Sequence, residues 1–270
     1  MAWRNLAKGE EKKILSYIAD ESEVNLFISG DLLSFGLDGR HVRIRIYEKA
    51  GALSGILLRY MDRNYVFYTK ELTFPYDEMA AIIKEENPTL KGVCVSGKSE
   101  LVKPLAVYLA PLKIEETAMA RCSALRHSVH HPCEAEVRFL TSKSEFEEVA
   151  ELEATIAEFG PERESKKEMV DGFSANVKRG ALVAGVYVDG QLVSSVSSSA
   201  DTALSSMLIG VMTRVGYREK GYASLAVGTL LEKLFARGEK FVCLFYDNPL
   251  AGRIYHAFGF EDVAPYAMLH

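Results

Sequence analysis

Three stretches of the sequence carry chemically capable residue types at a meaningful spacing. GVCVSGKS, Gly92 to Ser99, satisfies the phosphate-loop pattern G-x-x-x-x-G-K-[ST] in every letter. That pattern works only where a strand comes first and a glycine loop then turns free N–H groups, the lysine and a helix start onto the phosphates. Here Val93 to Ser96 are themselves the apolar run, and the preceding KEENPTLK reads as a helix end followed by a proline turn. Gly92 therefore opens a strand, GKS begins a helix, and no triphosphate binding is expected. The second stretch runs from strand residues Leu208 to Met212 through the loop Thr213 to Lys220, after which Gly221 opens a helix. Leu225, Leu230, Leu231 and Leu234 supply that helix's buried side and Gly238 its stop. Exposed N–H groups at such a start carry about half a positive charge and suit a pyrophosphate. Gly221 lets the backbone come close, Ala223 keeps the next turn small, and Arg218 and Lys220 add neutralising charge. In the third stretch, DNPLAGRIYHAFGFED, Asn248 is a good N-cap, Pro249 suits the first helical position and Gly259 ends the helix. Asn248, Ala251 and Tyr255 stand at i, i+3 and i+7, so they share a face that can line a cleft.

The elements that must position these residues repeat. Before a polar connector, RHSVHHPCEAE, come an amphipathic start (residues 10–20), a meander (HVRIRIYEK, ALSGILLRY, NYVFYTK), a helix over residues 76–86, the GVCVS strand, a helix over 101–109 and the strand LKIEETAMA. After it come strand VRFLT, a helix with the stripe Val149, Leu152, Ile156 and Phe159, a second helical stretch, and strands ALVAGVYV, QLVSSVSSS and ALSSMLIGVMT. The Gly221 helix, strand KFVCLFY, the Asn248 helix and a last strand follow. The succession β-β-β-α-β-α-β thus occurs twice, which points to a duplication.

The chain has 270 residues, 48% hydrophobic and 26% charged, a composition that supports one large domain or two ordinary ones. No run approaches the roughly 18 apolar residues of a membrane span. MAWRNLAKGEEKK is too charged for a signal peptide, and cysteines 94, 122, 133 and 243 follow no regular spacing, so reduced thiols and a cytoplasmic location are expected. A formal charge of −5 argues against a general nucleic-acid binder. Cys122, His127, His130, His131 and Cys133 offer soft ligands but fit no standard zinc spacing, so no metal is expected.

REKGYA resembles the [Q/R]-x-x-G-x-[G/A] loop of the GNAT superfamily of acyl-coenzyme A-dependent N-acyltransferases, and NPLAGRIYHAFGF resembles that family's N-x-x-A-x-x-x-Y-x-x-x-G-F helix. The likeness is tight over residues 203–260 and looser from Glu136. It implies an α+β fold with a mixed sheet, arranged as two tandem GNAT-like domains. Residues 134–270 would be the catalytic N-acetyltransferase domain, and residues 1–125 a degenerate GNAT-like domain without a cofactor site, because Pro75 stands where the glycine turn belongs. It further implies that Arg218, Glu219, Lys220, Gly221, Tyr222, Ala223 and Ser224 seat the pyrophosphate of acetyl-coenzyme A. Val211, Met212 and Thr213 would line the pantetheine arm, Asn248 and Ala251 would contact the cofactor, and Tyr255 would be the general acid.

The resemblance leaves the base unassigned: SSMLIGVMT carries no Glu, and Glu151, Glu153 and Glu158 are alternatives to a water-relayed proton path. Acetyl transfer to a primary amine of a small molecule or peptide, by direct attack in a ternary complex, is the activity expected. An acyl-coenzyme A-binding sensor or scaffold that transfers nothing is the rival. Acceptor identity and oligomeric state are not encoded in these motifs.

Overall fold

The computed structural model describes residues 2–71, 73–126, 134–159 and 165–270. They form two units, one of Met1–Ala120 with Asp262–His270 and one of Arg121–Glu261.

The first unit contains β1 (Ala2–Asn5), α1 (Glu11–Ile18), α2 (Leu26–Phe35), β2 (Val42–Lys49), β3 (Ala52–Tyr60), β4 (Asn64–Thr69), α3 (Tyr76–Glu86), β5 (Cys94–Lys98), α4 (Ser99–Val102) and most of β6 (Ile114–Cys122). Its strands follow one another antiparallel from β1 to β4, and β4 then pairs parallel with β5. The end of the last strand of the chain joins this sheet, with Tyr266 opposite Lys98 and Leu269 opposite Val95.

β1 and α2 have no counterpart in the sequence expectations. α2 is apolar on nearly every side, so it shows no 3.6-residue alternation; it buries Leu26, Ile28 and Leu32 and ends where Gly36 turns to φ +62°. The helix expected over residues 101–109 is cut to the four residues of α4 and a 3₁₀ turn over Lys103–Val107. Pro104, which has no N–H to give to a longer α-helix, accounts for that. β5 contains Gly97 and Lys98, so the GKS string continues the strand and α4 begins only at Ser99. A Cβ on Gly97 would lie 2.6 Å from the Phe67 carbonyl oxygen, and the Lys98 ammonium is held by Glu21 and Glu100. Glycine and lysine therefore serve strand packing and ion pairing there.

The second unit contains β7 (Ala135–Phe139), α5 (Lys143–Ala154), α6 (Lys166–Lys178), β8 (Val183–Val188), β9 (Gln191–Ser199), β10 (Ser205–Thr213), α7 (Tyr222–Arg237), β11 (Phe241–Tyr246), α8 (Pro249–Phe258) and the start of β12 (Phe260–Leu269). The sheet runs β7-β8-β9-β10-β11, antiparallel except for the parallel β10/β11 pair. Local chemistry marks each helix here. α5 and α6 open with full capping boxes, Ser142 with Glu145 and Ser165 with Glu168. α7 lies between two left-handed glycines, Gly221 at φ +84° and Gly238 at φ +116°. Val149, Leu152 and Ile156 of the expected stripe enter one core with Phe146, Tyr187, Leu192 and Met212. The side chain of Phe159 lies outside the described residues. Each such side chain, fully buried, contributes about 1.5–3 kcal/mol.

Candidate active site

β10 carries the site's first device. It pairs with β9 along most of its length but with β11 only from Ser205 opposite Phe241 to Leu208 opposite Leu244. Between Ile209 and Met212 the register with β9 slips, so three steps on β10 match two on β9, and Gly210 takes φ +62°. An extra residue of this kind bends a strand and frees its edge. The freed edge offers main-chain groups to an extended polyamide. Val211 and Thr213 are half-buried, and the Thr213 hydroxyl lies 2.9 Å from Ser194 Oγ. Met212 is 4% exposed and its side chain belongs to the core, so only its main chain is left to face an arm.

β10 leads into the loop before α7. Among the described residues, none of the amides from Glu219 to Ser224 donates to a protein acceptor. Glu219 at φ +63° and Gly221 at φ +84° turn this segment, and a Cβ added to Gly221 would meet no atom within 4 Å. Unpaired donors, an open approach and the 16-residue helix behind them together form an anion seat. Arg218 stands beside it but is engaged, giving Glu158 two hydrogen bonds of 2.7 and 3.2 Å. The hydrogen bond from Arg218 holds the Glu158 carboxyl below the usual carboxylate range. The Lys220 ammonium lies 5.3 Å from the centre of the Tyr217 ring. Tyr222 is buried, its hydroxyl donating to Glu134 at 2.9 Å, while Ala223 and Ser224 are half-buried.

β11 leads into α8, where Asn248 accepts from the Leu250 amide at 2.9 Å as an N-cap. Asn248 is exposed, Ala251 half-buried and Tyr255 buried, so the i, i+3, i+7 face runs from solvent into the fold. The Tyr255 hydroxyl has no hydrogen-bond partner among the described residues and is not sealed from solvent. Burial pushes its pKa up to about 12, so the phenol keeps its proton at neutral pH.

Two residues beside Tyr255 escape the sequence motifs. The Tyr246 ring stands edge-on to the Tyr255 ring with centroids 5.8 Å apart, and its hydroxyl lies 3.0 Å from His256 Nε2. His256 Nδ1 lies 3.0 Å from the Phe260 carbonyl oxygen, which can only accept. In the neutral ring Nδ1 therefore carries the hydrogen and Nε2 accepts from the Tyr246 hydroxyl. The one sequence signal for this pair is Gly252, whose bare Cα admits the Tyr246 ring.

Of the acidic alternatives for a base, Glu151 is paired with Lys166 at 2.8 Å and Glu158 with Arg218. Cys122 is buried, with Sγ 3.3 Å from the Ala124 carbonyl oxygen; His127, His130, His131 and Cys133 lie outside the described residues. Among the described residues no group of three metal-ligating side chains occurs, and none of the helices is long and apolar enough to cross a membrane.

The two units share one α+β plan, a meander leading to a parallel strand pair with a helix between. Residues 136–263 match the family model of the acetyltransferase (GNAT) domain. The chain's fold is similar to that of a tandem GNAT protein from the clavulanic acid biosynthesis pathway, solved without acetyl-coenzyme A. The two share 14% identity over 99% of this chain and 97% of that one, with a TM-score of 0.64. A Drosophila protein (14% identity, 99% and 97% covered, TM-score 0.69) and a GCN5-related N-acetyltransferase from Sphaerobacter thermophilus (11%, 99% and 94%, 0.68) are similar in the same way. At these identities the likeness is one of fold, and it is a likeness to two tandem GNAT-like domains. By sequence, no curated protein matches the chain.

Proposed function

We propose that the chain is an acetyl-coenzyme A-dependent N-acetyltransferase acting on a primary amine, with residues 134–270 as the catalytic domain and residues 1–125 as a GNAT-like domain without a cofactor seat. The observation that carries this reading is the run of unpaired amides from Glu219 to Ser224, open to approach at Gly221, within a segment that matches the acetyltransferase family model. Those amides with Arg218 and Lys220 hold the diphosphate, and the main chain of Val211, Met212 and Thr213 along the freed β10 edge holds the arm. Asn248 and Ala251 border it. Bound there, acetyl-coenzyme A supplies an activated thioester.

The protein's own part is placement and proton handling. Tyr255 keeps a proton on an unpartnered hydroxyl and donates it when the acyl group leaves sulfur. The acceptor amine, with a reference pKa near 10.4, must shed a proton before attack. Tyr246 gives that proton an exit, since its hydroxyl can pass its own hydrogen to His256 Nε2 while its oxygen accepts another. Attack is direct, within a ternary complex.

Calorimetry with acetyl-coenzyme A, followed by thiol release with a panel of amines, tests the reading. Saturable heat and amine-dependent thiol release support it. Heat without release for any amine leaves the sensor or scaffold reading in its place, and no heat at all removes both.

A further inference from the structure

The first unit holds a cavity of about 280 Å³ that the proposed acetyl transfer does not use. Three arginines reach it from two adjacent strands. Arg43 on β2 lies directly opposite Arg59 on β3, and Arg45 lies one diagonal away, opposite Leu57. Like charges directly opposite on one face of an antiparallel pair are destabilising, so this arrangement calls for negative charge.

The protein supplies only part of it. Glu86, at the end of α3, accepts from Arg45 and Arg59 at 3.0 Å each and from the Tyr65 hydroxyl at 2.8 Å. Burial alone would raise the Glu86 carboxyl, but these hydrogen bonds and the two guanidinium charges bring it below its usual range, so it is ionised. Oε1 accepts from Arg45, and Oε2 from Arg59 and Tyr65. Asp62, 88% exposed, approaches Arg59 only to 3.7 Å. Arg43 donates through Nε to the Gly39 carbonyl at 2.7 Å and meets no carboxylate among the described residues. The Arg59 side chain is 12% exposed, and its Nε is a buried donor without a partner. Three fixed positive charges on this face thus share one half-buried carboxylate, and a buried donor on Arg59 is left over.

We propose that this cavity binds the phosphate group of a small phosphorylated molecule, held in the forks of Arg43 and Arg59. A phosphate carries about 1.5–2 negative charges at neutral pH, which matches the surplus, and its oxygens suit two-point contacts with guanidinium. Arginine is the residue type for that contact, because its donors are planar and always charged. The ligand site lies wholly within the first unit, on residues that precede the segment matched by the acetyltransferase family model.

The test is calorimetry on the full chain with inorganic phosphate at constant ionic strength, on wild type, Arg43→Gln and Arg218→Gln. Glycerol phosphate is titrated in parallel to separate a phosphomonoester from the free ion. Arg43 is exposed and makes no bond to Glu86, so its replacement leaves the Glu86 network in place. The expected result is saturable phosphate heat in wild type and Arg218→Gln, weakened about tenfold or more in Arg43→Gln. A melting temperature that rises with phosphate in the first two proteins and not in Arg43→Gln is the matching stability readout. Absence of saturable heat in wild type overturns the proposal. So does heat that survives Arg43→Gln unchanged or vanishes in Arg218→Gln alone, since the ion then sits elsewhere.

Discussion

The Tyr246 ring fills the space that a side chain at residue 252 would need: a Cβ on Gly252 would lie 2.6 Å from Tyr246 Cε2. Gly252→Ala therefore pushes the ring away from α8 and from His256. Overpacking of this kind costs about 1–3 kcal/mol. The expected outcome is a lower melting temperature together with a fall in kcat larger than any change in KM for acetyl-coenzyme A. An unchanged kcat in a folded variant would remove Tyr246 from the proton path.

Tyr255→Phe removes a hydroxyl that bonds to nothing in the described protein, so the fold should barely respond. If that hydroxyl is the acid, kcat drops by about 10²-fold while binding of acetyl-coenzyme A stays near the wild-type value. Thiol release under saturating cofactor measures the first quantity and calorimetry the second. Full turnover in the variant ends the acid role.

The same phenol gives an alkaline signature. Its pKa in the fold is about 12 against an ordinary 10.0, so the folded state favours the neutral form. That contribution is fully present below pH 10.0 and is lost as pH rises toward about 12. The difference amounts to about 3 kcal/mol. Urea midpoints measured across this window should fall less steeply for Tyr255→Phe than for wild type; parallel curves would contradict the burial of an ionisable phenol.

Glu158 competes with a diphosphate for Arg218. An exposed ion pair is worth about 0.2–1 kcal/mol, so Glu158→Gln should tighten acetyl-coenzyme A binding by no more than about fivefold. Arg218→Gln should weaken it. Calorimetric dissociation constants decide, and a Glu158→Gln protein that binds more weakly would place the carboxylate in the acceptor or cofactor contacts instead.

Gly221→Val has room for its side chain but not the backbone for it. Forcing φ +84° on valine costs about 1–2 kcal/mol, and the turn that leaves these amides unpaired is then strained. The melting temperature should fall by a few degrees, and acetyl-coenzyme A binding should weaken about tenfold or more. Binding unchanged in a folded variant would dismiss the amide seat.

Features with local causes were legible in the sequence. The start of α7 at Gly221 and its stop at Gly238, and the cap of α8 at Asn248 with its stop at Gly259, depend on residues within one turn of each helix end. The strand inside GVCVSGKS was readable for the same reason, since the apolar run sits within the motif. Spacing puts Asn248, Ala251 and Tyr255 on one helix face, whereas the acid role of Tyr255 is implied only by the family resemblance.

Tertiary structure decided what depends on residues far apart in the chain. Strand pairing placed Tyr266 to Leu269 beside β5, which no local pattern announces. It also set the register slip that frees the β10 edge and drew the Met212 side chain into the core. The Tyr246 and His256 contact, the Glu158 hold on Arg218 and the opposition of Arg43 and Arg59 arise across separations of 10, 60 and 16 residues. A sequence specifies its turns and caps through neighbours, but such contacts exist only once the sheet has chosen its register and the helices have packed on it.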